Sequence, residues 1–278
     1  VDVSAVFADI PYRTAADRMP RVLAVLRERR ARLEEQAATG APLPASSLQA
    51  PVPRPPKLIV AIDTDRAGTD SQRRVQDMFL QSPDSVIGPG STVLLPPHPV
   101  TIFHHEAKLA LVVGARAKDL PADQRALAAL AGYTCALDIC GRGLGRIEPS
   151  RIGASFDTFT PLGPAIVTTD EVPDPHDLCV TVSVNGEAHQ VVSTGQMEYS
   201  VAEILAFISS YMTLVPGDVI LCGVKQQGLG PLQDSDRITL TIERIGTLEV
   251  TVRDPLKRQW PRGIDRETAA HGGEAAQA

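Results

Sequence analysis

The sequence has no long hydrophobic run, no block of basic residues and few cysteines. No apolar stretch approaches the ~18 to 20 residues that a membrane-spanning helix needs, so we expect no membrane association. The net charge of −6 and the isoelectric point near 5.5 argue against nucleic acid or an anionic membrane as the main partner. The N-terminus lacks the basic, apolar and small-residue order of a signal peptide, which favours a cytoplasmic protein.

The four cysteines form no CxxC pair and show no zinc-like spacing. They are Cys135, Cys140, Cys179 and Cys222. Each lies in or beside an apolar segment, so we expect buried, reduced thiols. With 278 residues, 43% of them hydrophobic, the chain can bury a large core without cross-links.

The first fifty residues differ in pattern from the rest. Residues 15–38 place apolar side chains among many Arg and Glu residues, which predicts one amphipathic helix with a strongly solvated face. Residues 40–57 contain six prolines and are predicted to form an extended linker. We therefore divide the chain into a helical cap with its linker (1–50), a main domain (51–256) and a tail (257–278) that we expect to be disordered.

The main domain is predicted to be rich in strands. From Leu58 onward, short apolar runs alternate with clusters of Gly, Pro, Asn and Asp. The Asn185-Gly186 pair between two such runs is the strongest hairpin signal in the chain. Two helices are predicted to interrupt the strands, at residues 122–131 and 201–212.

Six phrases, in this order, resemble the fumarylacetoacetate hydrolase family. They are APVPRPPKLIV at 50–60, HHEAKLALVVG at 104–114, GYTCALDICGR at 132–142, SFDTFTPLGPAIVT at 155–168, VNGE at 184–187 and LVPGDVILCG at 214–223. The resemblance implies an α+β fold that is predominantly β, of the mixed β-sandwich or β-roll type, and usually a homodimer. It also implies a divalent metal and a keto acid or β-diketone substrate that undergoes C–C cleavage, decarboxylation, hydration or tautomerisation.

The metal-binding positions of the family are altered in this sequence. The family's cage usually comes from a Glu-x-Glu pair on one strand and an Asp after the Gly-Tyr-Thr phrase, oxygen ligands that suit Mg²⁺, Ca²⁺ or Mn²⁺. The resemblance maps the first Glu to Glu106 and the Asp to Asp138, but the second Glu position holds Lys108. Because residues two apart on a strand face the same side, Lys108 should project into the cage and pair with Glu106 or Asp138. We expect no cofactor, or a weakly bound Mg²⁺, with Ca²⁺ or Mn²⁺ as alternatives.

Two other interpretations of these residues stay open. In one, Lys108 turns to solvent and a weaker metal site remains, built from Glu106, Asp138 and waters. In the other, the two carboxylates are ordinary surface groups. The apolar segments around them argue against this second interpretation.

Further positions of the family pattern have also lost polar groups. The lysine that often precedes the Ser-Phe-Asp phrase is replaced by Ala154. The histidine that is catalytic in many members is absent, and Thr64, Asp65 and Gly68 stand in that phrase. General base catalysis needs a titratable group within hydrogen-bond reach, so these losses argue against the family's usual activation of water.

Several polar residues remain as candidates for catalysis. His104 shares the strand face of Glu106 and is the best remaining acid or base, which gives His104, Lys108 and Glu106 as the candidate catalytic set. His105 should face the other way, toward the core or a partner. Both histidines could instead be packing residues with satisfied hydrogen bonds.

Other residues are candidates for binding a substrate. Arg142 matches the arginine of the family's Asp-x-Ser-x-Arg phrase and suits the carboxylate of a keto acid, or else stabilises a loop. Gln81, Lys225 and Gln226 fall on positions or loops that line the family's pocket. Asp157 is a further candidate, although a short polar residue there serves equally well to close a turn.

Three functions are compatible with the sequence. The first is an enzyme acting on a keto acid, β-diketone or other enolisable small molecule, by C–C hydrolysis, decarboxylation or isomerisation, with an altered and possibly metal-free site. The second is a catalytically silent homologue that binds a ligand or a protein partner. The third is an ordinary Mg²⁺-dependent hydrolase with a weakened metal site.

Overall fold

The computed structural model describes residues 1–62, 75–144, 151–223 and 228–263. Its α-helices are α1 (Ala15–Val25), α2 (Arg30–Thr39) and α3 (Val201–Tyr211). Its strands are β1 (Leu58–Ile62), β2 (Asp77–Gln81), β3 (Val86–Ile87), β4 (Thr92–Leu94), β5 (Ile102–Val113), β6 (Leu130–Arg142), β7 (Thr160–Thr168), β8 (Cys179–Val184), β9 (Glu187–Ser193), β10 (Val219–Gly223), β11 (Arg237–Ile242) and β12 (Gly246–Arg253). The predicted α+β class, predominantly β, is confirmed. No helix within these ranges is long and apolar enough to cross a membrane.

The strands form two sheets. The larger has seven strands in the order β2-β1-β10-β5-β6-β7-β3, and the smaller has five in the order β4-β12-β11-β8-β9. The long strands β5 and β6 pair antiparallel at the centre of the larger sheet, with Glu106 opposite Asp138.

The larger sheet curls until its two ends meet. Gln81 on β2 donates a hydrogen bond to the Thr160 hydroxyl on β7 at 2.9 Å, and Ser85, just beyond β2, contacts the same hydroxyl at 2.7 Å. Strands β2 and β7 lie toward opposite ends of the strand order, so these contacts require a rolled sheet. One face of the sheet therefore becomes the inside of the roll.

Side-chain alternation along β5 divides the apolar residues into two cores. Phe103, Leu109 and Leu111 belong to the larger core, which also contains the inner faces of β8, β11 and β12. Ala110 and Val112 point into the roll and belong to the smaller core, together with apolar residues of β1 and β10. The inward face of β5 is thus apolar at one end, which leaves its other end for polar groups.

The N-terminal segment packs differently from the sequence prediction. Residues 15–38 were expected to form one helix, but the structure has α1 and α2 with a turn between them. Leu23 of α1 is buried in the smaller core, whereas α2 buries no residue. The helix breaks because only its first half has an apolar face to bury, and Arg29 at the break donates to Asp9 at 2.9 Å.

Of the two helices and the hairpin predicted in the main domain, one helix and the hairpin are present. Helix α3 confirms the predicted helix at 201–212, and Asn185 and Gly186 confirm the hairpin turn, with φ of 54° and 84°. The predicted helix at 122–131 is wrong. A short 3-10 helix at Gln124–Ala129 leads directly into β6, because pairing with β5 outweighs the local helical preference.

Contacts with β5 continue beyond residue 256. The Trp260 indole donates to the Thr101 carbonyl at 2.7 Å, and its ring lies 6.1 Å from the Phe103 ring, edge on. The Arg258 guanidinium lies 4.8 Å over that same ring. Arg258 and Trp260 therefore pack against Phe103 of β5, while residues 264–278 of the predicted tail lie outside the described residues.

Candidate functional site

Three charged side chains meet on the inward face of the roll, where β5 and β6 run together. Lys108 Nζ donates to Glu106 Oε2 at 2.8 Å, and Arg142 Nη2 donates to Glu106 Oε1 at 2.6 Å. Only 7% of the Lys108 side chain and 18% of the Glu106 side chain are exposed. The predicted ion pair of Lys108 is confirmed, and Lys108 does not turn to solvent.

Strand geometry explains why these groups converge. Residues 106 and 108 are two apart on β5, so both face the inside of the roll. The cross-strand neighbours of Lys108 are Ala136 and Gly223, whose small size leaves the lysine room to bend toward Glu106. Arg142 reaches Glu106 from the last residue of β6.

Asp138 completes the cluster from β6, directly opposite Glu106. It is buried, and its Oδ1 has no hydrogen-bond partner among the described residues. Burial raises the pKa of Asp138 to about 7, and the Glu106 charge adds to this, while the positive charge of Lys108 opposes it. Asp138 is therefore the carboxyl group of the cluster that can exchange a proton near neutral pH.

Glu106 behaves in the opposite way. Its burial acts to raise the pKa, but the charges of Lys108 and Arg142 outweigh that and lower it to about 2. The two carboxyl groups of the cluster therefore differ in role, one ionised and paired, the other buried without a full set of partners.

The two histidines of β5 face opposite sides, as the sequence predicted. His104 lies on the side of Glu106, fully buried and opposite Cys140 on β6. His105 points into the larger core, where its ring lies 5.8 Å from that of His189. His104 is therefore the histidine whose strand face leads to the charged cluster.

Acid should destabilise the protein through His105. Burial, together with nearby His189, lowers the pKa of His105 from 6.5 to about 3. Because the unfolded chain takes up the proton first, the stability from the neutral ring is complete above pH 6.5 and is lost as the pH falls toward 3. When the pH is lowered from 7.5 to 5, we expect the free energy of unfolding of His105→Leu to rise by about 2 kcal/mol relative to that of wild type. Urea unfolding at the two pH values measures this difference. The exposed His98, changed to Leu, is the control, and a difference that does not vary with pH would contradict the prediction.

The predicted substrate-binding residues are placed unevenly. Gln81 is buried, and its amide donates to Thr160 and to the Ala154 carbonyl, so it joins the ends of the rolled sheet; it also favours the ionised form of Asp138. Asp157 is exposed in a turn whose next residue, Thr158, accepts a hydrogen bond from the Leu94 amide, which fits the turn-closing interpretation. Lys225 and Gln226 lie outside the described residues.

The cysteines are free, as expected, but they are not all buried. Cys135 and Cys222 are buried, Cys140 is half-buried and Cys179 is exposed, which corrects the expectation for Cys179. Cys140 shares the strand face of Asp138, and burial raises its pKa to about 12. Sequence reasoning missed Cys140 as a neighbour of the site, although its two-residue spacing from Asp138 carried that signal.

The described residues do not fit a divalent cation. Between residues 1 and 263, leaving out 63–74, 145–150 and 224–227, no group of three His, Cys, Asp or Glu residues could hold one. Both oxygens of Glu106 already accept hydrogen bonds from cations, and an ammonium stands on the strand face where a third carboxylate would be. Hard divalent ions need several free oxygen ligands, and these residues supply too few.

The fold and the site together define a β-roll protein with a buried acid–base cluster inside the roll. The model of the fumarylacetoacetate (FAA) hydrolase C-terminal family matches residues 62–253. The chain therefore belongs to the fumarylacetoacetate hydrolase family, as the resemblance predicted.

Known proteins similar to this chain include enzymes of keto acids. The oxaloacetate tautomerase FAHD2A, mitochondrial, of Bos taurus is 36% identical over 214 residues, which are 72% of this chain and 67% of that protein. The uncharacterized protein PH0643 of Pyrococcus horikoshii is 42% identical over 180 residues, which are 63% of this chain and 76% of that protein. The crystal structure of maleylpyruvate hydrolase from Sphingobium sp. SYK-6 in complex with manganese(II) and pyruvate is 30% identical, with a TM-score of 0.80, over 91% of this chain and 92% of that one.

Proposed function

We propose that the protein catalyses proton transfer at the carbon next to the keto group of a small keto acid, interconverting its keto and enol forms. The observation that carries this proposal is the buried Lys108 ammonium on β5, paired with Glu106, together with Asp138 opposite Glu106 on β6, a carboxyl group whose buried Oδ1 has no hydrogen-bond partner among the described residues. The similarity to an oxaloacetate tautomerase and to a hydrolase crystallised with pyruvate supports the substrate class.

Arg142 is placed to bind the carboxylate of such a substrate. One third of its side chain, 33%, is exposed, more than that of Glu106 or Lys108. Its Nη2 is held by Glu106, whereas its Nε has no hydrogen-bond partner among the described residues. A guanidinium that Glu106 fixes at Nη2 and that is one third exposed can orient a carboxylate with respect to the groups deeper in the roll.

Asp138 and Lys108 are placed to carry out the proton transfer itself. Asp138, when ionised, removes a proton from the carbon next to the keto group, and the electron pair of that bond forms the C=C bond of the enolate. The C=O electrons move to the oxygen, which accepts a hydrogen bond from the Lys108 ammonium. A buried donor of this kind typically contributes about 3 to 4 kcal/mol to the lowering of a barrier. Return of the proton from Asp138 to carbon restores the keto form, whereas a proton delivered to the enolate oxygen, for which His104 is the candidate donor, gives the enol.

Deuterium exchange tests this function without knowledge of the natural substrate. Pyruvate, 2-ketobutyrate and 2-ketoglutarate are each incubated with the protein in D₂O containing EDTA, and loss of the proton signal next to the keto group is followed by NMR. We expect wild type to accelerate the exchange of at least one compound and Asp138→Asn to abolish the acceleration. The exposed Asp119, changed to Asn, serves as the matched control. A panel in which wild type never exceeds Asp138→Asn, either in EDTA or with added Mn²⁺, would overturn the proposal.

A ligand-binding protein without catalysis is the second candidate. It is favoured by the ion pairs that engage both oxygens of Glu106 and hold the cluster in one arrangement. This candidate predicts saturable binding of a keto acid in calorimetry together with no exchange in D₂O.

The homodimer, the cytoplasmic location and the separate N-terminal cap stay predictions from the sequence.

A further inference from the structure

The position of Lys108 has a consequence for the cation that this site uses. Lys108 stands in a Glu-x-Lys sequence on β5. Its ammonium lies 2.8 Å from Glu106 Oε2, and only 7% of its side chain is exposed. Its charge also acts on Asp138, from the strand opposite. The ammonium is thus hydrogen-bonded to Glu106, and its charge acts on Asp138, which lies directly opposite Glu106 on β6.

We infer that the Lys108 ammonium is a built-in substitute for the divalent cation of the family, so that this site works without bound metal. This inference rests on the proposed function, because the ammonium is the charge that would stabilise the enolate oxygen. A covalently attached ammonium supplies one positive charge at a fixed place and cannot be removed by a chelator.

The charge of the cluster supports the substitution. With every group ionised, Lys108 and Arg142 balance Glu106 and Asp138, so the described cluster is neutral. A divalent cation entering it would gain no net attraction and would have to displace Lys108 or Arg142 from Glu106. Both oxygens of Glu106 are taken by cations, so among the described residues of the cluster only Asp138 could offer oxygens to a divalent ion, and one carboxylate does not hold such an ion tightly.

The exchange of one residue should reverse this preference. Glutamate at position 108 would remove one positive charge and add one negative charge, leaving a cluster of net charge −2 with carboxylates on both strands. We expect Lys108→Glu to bind Mn²⁺ at least about a hundredfold more tightly than wild type. Lys257→Glu changes the net charge by the same amount at an exposed position and is the matched control.

Calorimetric titration of the full chain with Mn²⁺ alone tests the inference. Expected results are weak, millimolar binding by wild type and by Lys257→Glu, and the hundredfold increase in Lys108→Glu. Stoichiometric micromolar binding by wild type that is unchanged in Lys108→Glu would overturn it. If circular dichroism shows that Lys108→Glu is unfolded, wild type and Asp138→Asn decide: micromolar binding that Asp138→Asn abolishes overturns the inference, and its absence from both supports it.

The titration contains no substrate, so it is independent of the proposed activity. Weak Mn²⁺ binding with no deuterium exchange would remove the proposed function and leave standing only the inference that Lys108 replaces the divalent cation at this site. Exchange that appears only when Mn²⁺ is added, and vanishes in EDTA, would leave the proposed function standing and overturn the inference.

Discussion

Replacing Lys108 with methionine should lower the free energy of unfolding by about 3 kcal/mol. Loss of one partner of a buried ion pair typically costs about 3 to 5 kcal/mol, because the remaining charge stays buried without compensation. The lower end applies here because Arg142 still donates to the other oxygen of Glu106. With side-chain exposures of 7% and 18%, the Lys108–Glu106 pair is not a surface pair, for which the loss would be below about 1 kcal/mol.

The matched variant for this prediction removes both charges. Glu106→Gln combined with Lys108→Met leaves no unpaired carboxylate on β5 and should recover most of the lost stability. Urea unfolding at pH 7.5 in EDTA measures all three proteins. A single variant as stable as wild type, or a double variant less stable than the single, would show that the pair is not the source of the effect.

The same double variant should lose the proposed activity. We expect the rate of keto-acid deuterium exchange to fall by about 10² to 10³, since removing one preorganised donor to a developing oxyanion has that effect in enzymes. Arg142 is retained, so the keto acid should still bind, and the calorimetric affinity should change less than the rate. Because the double variant is expected to fold, a loss of exchange reports on the removal of the Lys108–Glu106 pair rather than on unfolding.

The second prediction has a matched control and a result that would contradict it. Lys257→Met removes a lysine charge at an exposed position and should exchange at the wild-type rate. A double variant that exchanges as fast as wild type would remove Lys108 from the mechanism, while leaving Asp138 and Arg142 to be tested separately.

The local pattern of the sequence was enough to predict much of the fold. The apolar runs after Leu58 became strands, and Asn185-Gly186 became the turn of a hairpin, because both signals act within a few residues. The same reasoning failed at residues 122–131 and 15–38. In each case a contact with a distant segment, or the lack of one, outweighed the local preference.

For the site, the sequence by itself determined that Glu106 and Lys108 share a strand face, since alternation is a property of the extended backbone. The phrases of the family also gave Asp138 and Arg142 as members of the site. Only the tertiary structure decided that Arg142 binds Glu106, that burial raises the pKa of Asp138 to about 7, and that Trp260 packs against Phe103 of β5. These properties depend on burial and on partners that strand pairing and the curling of the sheet bring together. The spacing of neighbouring residues encodes neither the burial nor the partners.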